Sequence, residues 1–214
     1  MKQTVKQTVK QNGQALLSIK NLCISTKELE LIKNYNLELR PGQSSCISSP
    51  TGTGKTTLFN YIADLLPSGV FKITGEVQKT PGLKISYAFQ EPRLLASLTA
   101  LKNVMLPLEK LLDSNQAKSI AQAWLEKFKL DNKIYDRPEK LSGGEQQRTG
   151  LARAFAYAQV QTSLKKSPCL LLLDEPFASQ DQANAENIRN LIKEELLLPD
   201  LAVLLISHDR FFKL

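Results

Sequence analysis

The sequence lacks any hydrophobic run long enough to cross a membrane. Its longest apolar runs, residues 169–173 and residues 201–206, have the length of strands, whereas a transmembrane helix needs about 20 apolar residues. Residues 1–11 have no apolar central region of the kind found in a secretory signal. We therefore expect a cytoplasmic chain that does not span a membrane.

Cysteine and histidine are both scarce. The three cysteines, Cys23, Cys46 and Cys169, lie in apolar, strand-like stretches without metal-ligand spacing, and their odd number argues against a disulfide framework. We expect them to be reduced core residues. His208 is the only histidine, and a lone histidine is more often structural than functional.

The charge is basic, with a formal net charge of +7 at pH 7. That balance could favour anionic lipid, nucleic acid or nucleotides, and it selects none of them. The chain opens with the segment Lys-Gln-Thr-Val repeated twice, which cannot bury enough apolar surface to order itself. We predict that residues 1–15 form a disordered basic tail.

The rest of the chain alternates strand-like and helical patterns. Alternating or apolar runs at residues 16–24, 35–39, 44–48, 70–78 and 83–89 predict strands, and the runs at 70–78 and 83–89 look like neighbouring strands. Helical patterning dominates residues 94–140, and apolar strands resume at residues 169–173 and 201–206. This order predicts an α/β fold with a mainly parallel sheet, an antiparallel β part and an inserted helical subdomain.

A segment that resembles a phosphate-binding loop follows the predicted strand at residues 44–48. Residues 49–56 fit the pattern Gly-x-x-x-x-Gly-Lys-Ser/Thr except at the first position, which is Ser49. Lys55 would reach the β- and γ-phosphates, and the Thr56 hydroxyl would bind Mg²⁺. The alternative is a flexible Gly/Thr loop. The candidate nucleotide-binding residues are Ser49, Pro50, Thr51, Gly52, Thr53, Gly54, Lys55, Thr56 and Thr57.

Two carboxylates end the apolar run at residues 170–173. In open α/β sheets, ligands bind at the carboxyl ends of the strands, where Asp174 and Glu175 are expected to lie. Asp174 would hold Mg²⁺, and Glu175 would orient or deprotonate the attacking water. A solvated acidic pair without catalytic function is the alternative.

Residues 141–148 read Leu-Ser-Gly-Gly-Glu-Gln-Gln-Arg. Ser142 can cap a helix and Glu145, three residues on, completes a capping box, while Gly143 and Gly144 leave backbone N–H groups uncovered for an anion. This octapeptide resembles the signature sequence of the ATP-binding cassette (ABC) ATPases without a substitution. Residues 49–57 and 170–176 resemble the Walker A and Walker B segments of the same family.

The resemblance covers residues 16–209 and implies a P-loop NTPase core of residues 16–91 and 159–214 with a helical subdomain of residues 92–158. It implies that two such chains sandwich two ATP molecules, each site pairing one P-loop with the other chain's signature. It further implies that Gln90 joins core and subdomain and senses Mg²⁺, that Asp181 contacts the partner chain, and that His208 bonds the γ-phosphate. Gln180 stands at a position where this family usually has an apolar residue.

The resemblance also implies partners. The expected role is an ATP-hydrolysing subunit, peripheral on the inner face of the cell membrane, that serves separate membrane-spanning permease subunits. Residues 89–95 look like the nitrate, sulfonate or taurine importer branch, in which a separate substrate-binding protein would also take part. The alternative is a soluble ABC ATPase acting on nucleic acid or ribosomes. Because the chain shows neither a long coiled coil nor a second cassette, we expect no nucleic-acid partner.

Overall fold

Strands and helices alternate along the chain in the computed structural model, which describes residues 2–7, 14–48, 52–195, 198 and 200–207. The strands are β1 Lys2–Gln7, β2 Leu17–Ser25, β3 Glu30–Leu39, β4 Gln43–Ser48, β5 Lys72–Lys79, β6 Lys84–Ala88, β7 Cys169–Asp174 and β8 Leu201–Ile206. The helices are α1 Lys55–Ile62, α2 Ala100–Met105, α3 Ser114–Lys127, α4 Gly143–Gln159 and α5 Gln182–Glu195.

A mainly parallel sheet with the order β1-β4-β8-β7-β6 forms the centre of the molecule. Strands β4, β8, β7 and β6 are parallel, and every residue of β7 and β8 is buried. Alternate residues of β7 pack on opposite faces: Leu171 joins the core on the side of α4, and Leu172 joins the core on the side of α1. The predicted α/β fold, with a parallel sheet covered on both faces, is therefore confirmed.

The first strand corrects the prediction of a disordered tail. Lys2–Gln7 forms β1, which pairs antiparallel with β4 from Lys2 opposite Ser48 to Gln7 opposite Gln43. The physical reason is that β4 would otherwise leave a row of backbone N–H and C=O groups at the sheet edge, and β1 supplies partners for them. A composition argument considers the tail alone and misses this pairing. Residues 1 and 8–13 lie outside the described residues.

The antiparallel part is a second sheet with the order β3-β2-β5. Here the predicted pairing of two runs is wrong, because β5 pairs with β2 while β6 pairs with β7 in the central sheet. The turn at residues 80–83 thus carries the chain from one sheet to the other and does not close a hairpin. At Gly75 the approach of β5 to β2 requires glycine, since a Cβ there would lie 2.5 Å from Asn21 O.

The helical insertion packs around an aromatic cluster. Trp124 on α3 and Phe128 just after it contact Phe155 on α4, with ring centroids 5.2 and 5.5 Å from that of Phe155, and the Trp124 and Phe128 centroids lie 6.1 Å apart. The Trp124 indole N–H donates to Gln159 Oε1 at 2.7 Å, so its buried polar atom is satisfied. In the part of the chain that the structure describes, each helix is too short or too polar to span a bilayer.

Candidate ATP-binding site

The start of α1 and the end of β7 bring Thr56 and Asp174 together, although the two residues are far apart in sequence. The Thr56 hydroxyl lies 3.1 Å from Asp174 Oδ2, and the Tyr87 hydroxyl lies 3.4 Å from the same oxygen. Burial raises the pKa of Asp174, and the contacts with Thr56, Tyr87 and Lys55 lower it again in part. A buried carboxylate beside a hydroxyl offers two oxygen ligands of the kind that Mg²⁺ prefers.

The described part of the phosphate-binding loop lines a cleft of about 410 Å³ beside this pair. Gly54, the N-cap of α1, has a φ of 79° and makes no side-chain capping bond, and the N-terminal end of a helix favours a negatively charged group. A Cβ at Gly54 would lie 2.9 Å from Leu31 O, so the loop passes too close to β3 for any other residue. Predicted residues among the lining are Gly52, Gly54, Lys55, Thr56, Thr57, Gln90, Asp174 and Glu175.

Not every predicted residue lines this cleft. Thr53 borders a separate pocket beside β3. Ser49, Pro50, Thr51 and His208 lie outside the described residues. Their assignments remain predictions.

Glu175 directly follows β7 in an unusual backbone conformation. Its φ is 49°, in the left-handed region that non-glycine residues seldom adopt. The Glu175 N–H donates to Ile206 O at 3.0 Å, and the Gln147 side chain on α4 donates to Glu175 O at 2.8 Å. The backbone on either side of this carboxylate is therefore fixed by the end of β8 and by α4.

Gln90 lies at the junction between the sheet and the helical insertion, where it lines both the phosphate-loop cleft and a neighbouring cleft of about 610 Å³. The next residues are held by α4, because Arg153 donates to Pro92 O at 2.6 Å and to Arg93 O at 3.1 Å. Burial lowers the pKa of the Arg153 guanidinium. The larger cleft extends from Thr56 and Asp174 to Gly143 at the start of α4.

The start of α4 has the predicted capping box. Ser142 Oγ accepts from the Glu145 N–H at 3.3 Å, and Glu145 Oε2 accepts from the Ser142 N–H at 2.8 Å. The bond with the Ser142 backbone lowers the pKa of Glu145. A Cβ at Gly144 would lie 2.9 Å from Ser179 O, so the start of α4 passes too close to the loop before α5 for a larger residue.

Asp181 stands at the start of α5 and, within one chain, caps that helix. Its Oδ1 accepts from the Asn184 N–H at 2.7 Å, and its Oδ2 accepts from the Asn184 side chain at 2.9 Å. Four residues near the clefts were not among the predicted site residues: Tyr87, Gln147, Arg148 and Arg153. The position of Tyr87 one residue before the end of β6 was the one available signal, because that strand end meets the end of β7.

Comparison with known proteins agrees with this geometry. The profile of the family described as ABC transporter matches residues 32–178. The lipoprotein-releasing system ATP-binding protein LolD of Saccharophagus degradans is 30% identical over 203 residues, covering 89% of this chain and 85% of that protein. The aliphatic sulfonates import ATP-binding protein SsuB 2 of Pseudomonas syringae pv. syringae is 35% identical over 197 residues, covering 92% of this chain and 65% of that protein.

A solved structure of the ATP-binding cassette MJ0796, a dimer in a post-hydrolysis state with ADP and Pi, superposes with a TM-score of 0.74. It is 30% identical, and the match covers 90% of this chain and 88% of that one. With a family profile that spans more than half of the sequence and relatives that align along nearly all of it, this chain belongs to the ABC transporter family and is an ATP-hydrolysing, nucleotide-binding subunit of that family.

Proposed function

We propose that this chain hydrolyses Mg²⁺-ATP as one half of a dimer and transfers the energy to separate membrane-spanning subunits. One observation carries the proposal: the Thr56 hydroxyl and the Asp174 carboxylate lie 3.1 Å apart at the start of α1, beside Lys55. A phosphate group at the start of α1 would contact backbone N–H groups, the Lys55 ammonium and the metal-binding pair at the same time.

The residues present fit Mg²⁺. Thr56 and Asp174 would hold the ion, and Gln90, which lines the same cleft, would add an amide oxygen. A metal ion held by these residues would supply positive charge that stabilises the negative charge of the phosphate groups during hydrolysis. The raised pKa of Asp174 reflects the burial of a carboxylate that a cation would stabilise.

Glu175 is the proposed general base. It borders the same cleft as Lys55 and Thr56, and it directly follows the proposed metal ligand Asp174. Because Gln147 and β8 fix its backbone, its carboxylate would be aimed at a water in line with the γ-phosphate. His208 is proposed to bond the γ-phosphate at the end of β8.

A second copy would complete each site. The signature residues Ser142 and Glu145 bond to each other at the start of α4 and do not line the phosphate-loop cleft of their own chain, whereas Gly143 borders the larger cleft. We propose that Ser142, Gly143 and Gly144 receive the γ-phosphate of the partner's ATP, and that Asp181 contacts the partner. The dimeric form of the similar cassette MJ0796 supports this arrangement.

The energy recipient is proposed to be a membrane permease, with the chain attached peripherally on its inner side. The division into a core of residues 16–91 and 159–214 and a helical subdomain of residues 92–158 fits this role, because Gln90 lies at their junction. The names of the relatives describe transport, which favours the permease over a nucleic-acid or ribosomal partner. The sulfonate-import relative supports import as the direction of transport. A separate substrate-binding protein is part of the same proposal.

Two variants test the site. Lys55→Ala should weaken binding of a fluorescent ATP analogue at least about 10-fold, because it removes a charged hydrogen bond to phosphate. Lys118→Ala, at an exposed position on α3, is the matched control and should bind normally. Unchanged binding by Lys55→Ala would refute the phosphate-loop assignment.

Glu175→Gln should bind Mg²⁺-ATP normally, hydrolyse it at least about 10²-fold more slowly, and accumulate an ATP-trapped dimer on size-exclusion chromatography. Omitting Mg²⁺ should prevent hydrolysis by the wild type. A Glu175→Gln variant with the wild-type rate would disprove its role as base.

A further inference from the structure

The loop between β7 and α5 carries the proposed base and is held in a sparsely populated conformation. Glu175 has a φ of 49° and Ser179 a φ of 57°, so two non-glycine residues of this short loop adopt left-handed backbone. Such conformations persist where the surroundings impose them. Two backbone bonds within the loop, Ala178 N–H to Glu175 O at 3.1 Å and Gln180 N–H to Phe177 O at 3.3 Å, shape its turns. Side-chain hydrogen bonds also attach the loop to α4.

Gln180 makes that attachment. Its Oε1 accepts from Arg148 Nη1 at 2.9 Å, and its Nε2 lies 2.9 Å from Gln147 Oε1 and 3.2 Å from Gly144 O. Nε2 also lies 3.4 Å from Ala178 O within the loop, and the two shorter contacts, to Gln147 Oε1 and Gly144 O, can take its two hydrogens. Gln147 in turn donates to Glu175 O at 2.8 Å and is almost fully buried. A leucine at position 180 could make none of these bonds.

The direction of the hydrogen bonds is determined by Arg148. A guanidinium only donates, so the oxygen of the Gln180 amide must face Arg148 and its nitrogen must face Gln147. The Gln147 amide is then oriented with its oxygen toward Gln180 and its nitrogen toward Glu175 O. A reversed Gln147 amide would place its oxygen against the Glu175 carbonyl oxygen, which is repulsive. The chain of bonds therefore runs from Arg148 through Gln180 and Gln147 to the backbone of Glu175.

From this geometry we propose that Gln180 is a positioning residue: it orients the Gln147 amide and thereby fixes Glu175 relative to α4. The proposal rests on the role of Glu175 as general base given above and extends it. Because α4 begins with the signature residues, the same bonds link the base of one ATP site to the helix that serves the other site of the dimer. Hydrolysis at one site then depends on the position of α4.

Three substitutions separate positioning from simple attachment. Gln180→Leu removes every side-chain bond. Gln180→Glu keeps an acceptor for Arg148 but turns the Gln147 amide around, because a carboxylate can only accept. Gln116→Leu, at an exposed position on α3, is the control for the same chemical change elsewhere.

We expect Gln180→Leu and Gln180→Glu to lower kcat for ATP hydrolysis about 10-fold, with KM for ATP within about 2-fold of the wild type. Gln116→Leu should match the wild type in both constants. The double variant Gln147→Leu/Gln180→Leu should lose no more activity than Gln147→Leu alone, because Gln180 acts through Gln147. A wild-type kcat in Gln180→Glu, or additive losses in the double variant, would overturn the proposal.

Hydrogen exchange gives a readout that does not depend on activity. The Ala178 and Gln180 amides are bonded within the loop, so peptides covering residues 175–181 should exchange faster in Gln180→Leu than in the wild type or Gln116→Leu. Equal exchange in all three proteins would refute the attachment itself. If the wild type did not hydrolyse ATP, the proposed function would fail, and the exchange comparison would still decide whether Gln180 holds this loop.

Discussion

Glu195 should make the stability of this protein depend on pH in a range that can be predicted from its surroundings. The residue ends α5, is 6% exposed and faces Lys127 on α3, whose Nζ lies 3.9 Å from Glu195 Oε1. Burial raises the pKa of this carboxyl from its ordinary value of 4.5 to about 7; Lys127 lowers it and Glu194 raises it. A carboxyl with this pKa is neutral in the folded protein at pH values where it is already ionised in the unfolded chain.

The sign of the effect follows from proton binding. Between pH 4.5 and about 7 the folded state holds a proton on Glu195 that the unfolded state has released, so stability falls as the pH rises. The pKa difference corresponds to about 3 kcal/mol of unfolding free energy, lost across that interval and constant above it. Glu195→Gln removes the ionisation, and the variant should therefore be more stable than the wild type by about 3 kcal/mol at pH 8.

Urea denaturation at pH 4.5, 6 and 8 measures this difference. The two proteins should have nearly equal free energies of unfolding at pH 4.5, and the gap should open as the pH rises. Glu126→Gln, at an exposed position on α3, is the matched control and should change the free energy by less than about 0.5 kcal/mol. If Glu195→Gln and the wild type lose stability in parallel between pH 4.5 and 8, the buried carboxyl does not titrate as argued.

Two further substitutions test the phosphate-binding loop and the first strand. Gly54→Ala should weaken binding of a fluorescent ATP analogue by 10-fold or more (about 1.4 kcal/mol), since Ala there meets Leu31 O at 2.9 Å; Gly82→Ala, which has a similar φ of 76° but open space around it, should not alter binding. The double variant Thr4→Pro/Val5→Pro should lower the unfolding free energy measured in urea by about 1 kcal/mol or more. Of two adjacent residues in an edge strand, one directs its backbone N–H toward the neighbouring strand β4, and proline has no N–H to donate. Equal stability of this variant and Thr4→Ala/Val5→Ala would contradict the pairing of β1.

Features encoded within a short stretch of sequence could be predicted well. The capping box at Ser142 and Glu145 involves residues three apart, and its two hydrogen bonds occur as expected. The buried strand ending in Asp174 was visible as an unbroken apolar run between polar residues. Both depend on local chemistry that a single segment carries by itself.

Features that depend on distant partners were missed or wrong. The pairing of β5 with β2 depends on a bulge near Asn21 that admits Gly75, and no pattern within residues 70–89 indicates it. At position 180 the sequence showed only a glutamine where ABC ATPases usually have an apolar residue. Its function as a hydrogen-bonding centre required knowing that Gly144, Gln147 and Arg148 lie opposite it.

Helix α4 holds the backbones of both loops that border the larger cleft. Near its start, Gln147 bonds the Glu175 carbonyl, and two turns later Arg153 bonds the Pro92 carbonyl. Gly150 faces Pro92 so closely that a Cβ would lie 3.0 Å from it, which keeps that loop against the helix. Because these contacts are made by one rigid element, a displacement of α4 would shift the loop after Gln90 and the loop after Glu175 together. In the proposed function, the helical insertion would move when the γ-phosphate is lost, and α4 would then carry that movement to both loops.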